Sequence, residues 1–181
     1  MSGVISLEKY SEVIGLPVIC AENGKMAGII KDIIFCPKTK EVKAFLLEKR
    51  GHELGKKAVL LKDVLSVGRD AVVVNDYTCL NSLKKLIRNN ELKDKGEIKG
   101  LKVYTKSGED LGIVKDVLFD YKKGLIEGVE ISDGLFQDIV QGRNLLPLFG
   151  KVEFGEESVI VDKEAAEEMV ETGGGLKNIL K

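Results

Sequence analysis

The sequence predicts a mainly β protein: two tandem, small, six-stranded antiparallel β-barrels with a short helical linker between them and a short C-terminal helix. Three observations carry that expectation. A twelve-residue line recurs, reading GKMAGIIKDIIF at 24–35 and GEDLGIVKDVLF at 108–119. Around each copy lie short β-branched runs divided by turn residues, with no stretch long enough for a crossover helix. Apolar residues at helical spacing appear only between the copies and after the second.

Taken in order, Val18-Ile19-Cys20 is a short β-branched run, and Ala21-Glu22-Asn23-Gly24-Lys25 supplies a turn before the run at 26–35. Lys38-Thr39-Lys40 turns the chain into a third run at 42–47, and runs at 58–61, 64–67 and 71–74 follow. Six short strands would expose edges unless the sheet closed on itself, so a small barrel is the expected outcome. In the linker, Leu80, Leu83, Leu86 and Ile87 fall on one helical face, with Asn81 or Ser82 as a cap. The second copy repeats the grammar of the first. An offset of 84 carries Gly28, Lys31, Asp32 and Phe35 onto Gly112, Lys115, Asp116 and Phe119. Before the turn the offset is 85, so one residue has been lost there; later it is 87, pairing VGRDAVVV (67–74) with FGEESVIV (154–161). KEAAEEMVE then reads as a helix with an acidic face, stopped by Gly173-Gly174-Gly175, before a terminal LKNILK. Copies of about 65 to 70 residues are domain-sized. The boundaries fall at 1–77 for the first domain, 78–95 for the linker, 96–163 for the second domain and 164–181 for the helix and tail.

The 181 residues are 44% hydrophobic and 31% charged, enough to bury a core and stay soluble. No run of eighteen apolar residues and no leader pattern is visible, so neither a membrane span nor secretion is expected. Three cysteines, an odd count without CxxC spacing, argue against a disulfide framework and for a reducing cytoplasm. Net charge is −1, but residues 1–90 hold 15 basic against 10 acidic side chains and residues 91–181 hold 13 against 19. That polarity favours contact between unlike surfaces and is too weak for a dedicated nucleic-acid binder.

The motif series resembles the PRC-barrel family, known from the cytoplasmic domain of the photosynthetic reaction-centre H subunit and from ribosome-maturation factors of the RimM type. The residues carrying the resemblance are 11–18 (SEVIGLPV), 28–33 (GIIKDI) and 64–68 (VLSVG), then 100–103 (GLKV), 112–117 (GIVKDV) and 146–148 (LPL). The first copy has Pro17 where the second has Lys102, and Leu60 where the second has Pro147, both at strand edges where proline is optional. The resemblance implies a noncatalytic module that binds protein partners, in settings that include RNA processing and membrane complexes. Stand-alone bacterial relatives are similar to small cytoplasmic proteins linked to sporulation.

Asp32 and Asp116 recur, yet no histidine, cysteine or second acid recurs beside them, so each is expected to accept backbone N–H groups at a bulge or strand end. A single histidine, His52, rules against His-His metal sites and catalytic triads, and neither a P-loop nor a nucleophile elbow is present. No enzymatic activity, metal or cofactor is expected. The expected partner-binding residues are Lys49, Arg50, Lys56 and Lys57, in a basic loop, and Phe136, in the acidic counterpart loop of the second copy. The leading expectation is a cytoplasmic protein-binding or assembly module. An RNA- or ribosome-associated maturation factor and a small-ligand site in the seam between domains remain open, as does self-association.

Overall fold

The computed structural model describes residues 7–48, 55–89, 91–92, 97–132, 144–148 and 152–171. The chain divides into two compact units, Met1–Gly96 with Phe119–Leu125, and Glu97–Leu118 with Ile126–Lys181.

In the first unit, β1 (Leu7–Lys9) and one helical turn, α1 (Tyr10–Val13), precede the six strands that the sequence predicts. These are β2 (Pro17–Cys20), β3 (Met26–Cys36), β4 (Glu41–Leu47), β5 (Lys57–Leu60), β6 (Val64–Val67) and β7 (Val72–Val74). β2 to β5 pair antiparallel in chain order, and β6 pairs antiparallel with β7. β7, however, lies parallel to β2, so the expected antiparallel ladders are joined by one parallel pair. The reason is local: β5 enters β6 through the 3-10 turn Leu61–Asp63 instead of a hairpin, so the direction is not reversed there.

β3 is shared between two ladders, pairing with β2 over its first residues and with β4 from Ile30 onward. Its register shifts let the long strand curl, because each extra residue bends the strand and tightens its twist. Alternation does the rest: Val18, Cys20, Val72 and Val74 turn inward with Ile30 and are fully buried. A second cluster, Ile34, Ala44, Ala58 and Leu60, is covered by Leu83, Leu86 and Leu92. The expected linker helix is here shorter. Leu80 belongs to β8 (Leu80–Ser82), which pairs with β5, and among the described linker residues the helix is α2 (Leu83–Arg88). Leu83 and Leu86 bury the predicted face, Ile87 stays exposed, and Ser82 occupies the cap position without a side-chain cap bond. The tip Phe119–Leu125 also belongs to this unit: Phe119 packs edge-on to Phe45 at 6.3 Å between ring centroids, and Val42 N–H donates to the Gly124 carbonyl at 2.7 Å.

The second unit repeats this plan with β9 (Lys102–Thr105), β10 (Asp110–Asp120), β11 (Leu125–Ser132), β12 (Asn144–Pro147), β13 (Val152–Phe154) and β14 (Ser158–Val161). β14 lies parallel to β9 as β7 does to β2. Equivalent backbone bonds recur, Gly15 N–H to Ile30 O and Gly100 N–H to Val114 O, both 2.8 Å. Cys20 N–H reaches Lys25 O, whereas Thr105 N–H reaches Glu109 O, both at 2.9 Å; the second turn is one residue shorter, as the offset requires. Among the described residues after β14, α3 (Lys163–Glu167) is helical and Val170–Glu171 forms β15 against β12. The expected acidic helix is thus cut short by backbone pairing with a sheet edge.

Candidate functional site

The repeated Gly-Ile-Ile-Lys-Asp line builds a bulge. On the β3–β4 ladder Ile30 faces Leu47 and Asp32 faces Leu46, leaving Lys31 without an opposite residue. Asp32 Oδ1 accepts the Ile33 N–H at 2.8 Å and the Tyr10 hydroxyl at 3.0 Å, which supplies partners where the ladder is interrupted. Asp116 makes the same backbone contact, accepting the Val117 N–H at 2.9 Å. Both aspartates therefore take the backbone role expected from sequence. The lysine lifted out by the first bulge lines a cleft of about 330 Å³ with Leu46, Leu47, Glu48 and Lys56. Lys31, Glu48 and Lys56 are exposed, and neither lysine has an ion-pair partner among the described residues.

Of the residues singled out in the sequence, Lys56 stands in this cleft, its backbone carbonyl accepting the Leu83 N–H at 2.9 Å. Lys57 opens β5 opposite Ser82 and is half-buried. Lys49, Arg50 and Phe136, with His52, lie outside the described residues.

A second surface escaped sequence reasoning. On β2 and β7 the residues between the buried ones, Ile19 and Val73, face outward, and they sit side by side in the parallel pairing. Ile19 also neighbours Met26 on β3. Met26, Leu65 and Tyr77 are 38%, 51% and 42% exposed, and the Tyr77 hydroxyl donates to the Met26 carbonyl at 3.4 Å. The outer face of the first unit is thus apolar across three strands. At equivalent positions the second unit carries Lys102, Tyr104 and Asp110, with an Nζ–Oδ2 distance of 3.2 Å and the ammonium 5.8 Å from the tyrosine ring centre. The Gly112 N–H and then Lys102 hold the Asp110 carboxyl below its ordinary range, while Asp110 raises Lys102. The signal was present in the offset, where Pro17 becomes Lys102 and Met26 becomes Asp110.

A second cleft of about 330 Å³, beside Tyr121 and Gly124, has its charges largely matched internally. Lys43 bonds Glu41, Lys62 lies 3.8 Å from Glu91 and Lys123 lies 3.6 Å from Asp120. Burial, with Asp76 nearby, pushes the Cys20 thiol up, the opposite of what a nucleophile requires. All three cysteines are free, and no cluster of three metal-ligating side chains occurs among the described residues.

The PRC-barrel domain pattern matches the chain twice, over residues 6–78 and 93–167. The chain belongs to the PRC-barrel family. The two matches coincide with the two copies of the repeat, so the duplication is one of whole PRC domains. Over 136 residues, the chain is 28% identical to the uncharacterized protein YrrD of Bacillus subtilis, covering 74% of this chain and 75% of that protein.

Proposed function

We propose that this tandem PRC protein is a non-catalytic binding module that assembles with another protein through the faces and loops of its domains. One observation carries the reading: the outer face of the first unit, where half-buried Ile19 and Val73 adjoin exposed Met26 and Tyr77, with exposed Leu65 on β6, the strand paired with β7. Contiguous exposed apolar surface is costly to leave in water and typically marks an interaction site. The second unit, with the same fold, bears a lysine–aspartate pair and a tyrosine at the corresponding strands. A requirement of the fold itself would act on both copies alike, so the difference supports a role in binding. Three unpaired cysteines suit a reducing compartment, and the working location in this reading is the cytoplasm.

Crosslinking of the full chain at native abundance, followed by co-purification, tests the proposal. A partner protein crosslinked near residues 17–29 or 64–77 is expected, with recovery falling several-fold for Met26→Asp. Recovery of crosslinks within the chain alone would overturn it.

A further inference from the structure

The cleft over the first bulge has a composition that selects its occupant. It is lined by half-buried Leu46 and buried Leu47, with two ammonium groups, Lys31 and Lys56, and one carboxylate, Glu48. Among the described residues neither ammonium has a carboxylate at ion-pair distance, whereas Lys43, Lys62, Lys102, Lys106 and Lys123 all have such partners. The bulge keeps Lys31 there: with no residue opposite it, and with Asp32 engaged by Ile33 and Tyr10, the side chain is aimed away from the ladder.

Resting on the protein-binding reading above, we infer that this cleft receives an acidic, partly apolar peptide segment of the partner. Lys31 and Lys56 hold a glutamate or aspartate carboxylate through charge-assisted hydrogen bonds. Leu46, the accessible one of the two leucines, takes an adjacent apolar side chain, and Glu48 accepts a peptide N–H. The choice of peptide over nucleic acid follows from the same residues. A phosphate backbone has no N–H for Glu48, is repelled by its charge and gains nothing from a leucine. A free carboxylate shares the lysine chemistry but leaves Leu46 uncovered.

The test uses the full chain and a fluorescent nonapeptide alternating glutamate and leucine, read by anisotropy. Saturable binding is expected, weakened about tenfold or more by the double substitution Lys31→Glu with Lys56→Glu and by replacing the peptide's glutamates with glutamine; tenfold corresponds to about 1.4 kcal/mol. A lysine–leucine peptide should bind the double variant better than the wild type. Lys115→Glu, at the equivalent exposed lysine of the second copy, should leave binding unchanged. Equal binding by wild type and double variant overturns the inference, as does equally strong binding of a twelve-nucleotide single-stranded RNA, or displacement by free glutamate at the concentration at which unlabelled peptide displaces. The crosslinking experiment separates this failure from that of the broader reading. A partner recovered equally by wild type and double variant defeats the cleft while leaving the binding module standing. No partner for either defeats both.

Discussion

At Gly112 the backbone φ is +114°, and a Cβ built there would run into the Ser132 carbonyl, 2.8 Å from its carbon. Its repeat equivalent, Gly28, is not left-handed, and an added Cβ would meet the flexible end of Leu47 at 3.0 Å. One repeated letter thus answers two different constraints. Gly112→Val should lower stability by about 3 kcal/mol or more, since left-handed strain and overpacking add, while Gly28→Ala should cost about 1 kcal/mol. Urea midpoints at constant slope measure both, and equal losses would contradict this account. Asp110 adds a pH dependence. Its folded pKa lies below the unfolded value near ~3.9, so its contribution is present above that value and is lost as pH falls through the depressed folded pKa. Asp110→Asn should therefore flatten the acid limb of a thermal-midpoint-against-pH curve. An unchanged acid limb would refute it.

Elements show where sequence reasoning reaches and where it stops. The six strands per copy were legible because turn residues bracket β-branched runs, and the bulge role of Asp32 was legible because no chemical partner repeats beside it. The parallel β2–β7 pair was not legible. It depends on whether Leu61-Lys62-Asp63 reverses the chain, and three residues of mixed polarity encode either a hairpin or a 3-10 turn. Helical spacing likewise suggested that Leu80 shares a face with Leu83 and Leu86, but β5 offers Leu80 backbone partners that outweigh local propensity. The basic loop drew attention by its charge, whereas Lys31 became notable only when the bulge placed it beside Lys56. In α2, Leu86 is 1% exposed against the Ala44–Ala58–Leu60 sheet face, so Leu86→Ala should cost about 3 kcal/mol. Ile87→Ala, at an exposed position, should cost well under about 1 kcal/mol. Similar denaturation midpoints for the two variants would show that the helix is not seated by that face.

At the scale of the whole molecule, order along the chain and membership of a compact unit part company. Phe119–Leu125 lies within the second copy of the repeat, yet it groups with the first unit. Phe119 is fully buried against Phe45, the Gly124 carbonyl accepts the Val42 N–H, and Leu125 pairs with Glu41. No spacing rule announces this, because Phe35 and Phe119 are equivalent in the repeat and both read as strand-end aromatics. The consequence is a loss of stability at a distance in sequence. Phe119→Ala should remove about 3 to 5 kcal/mol of packing from the first unit. Native-state hydrogen exchange should then show faster exchange of the Val42, Ala44 and Phe45 amides, more than seventy residues before the substitution. Amides of β9 and β14, paired with each other in the second unit, should keep nearly their wild-type protection. If protection instead falls at β9 and β14 while Val42 and Phe45 are unaffected, Phe119 serves the copy in which it is encoded, and the grouping of its turn with the first unit is energetically empty.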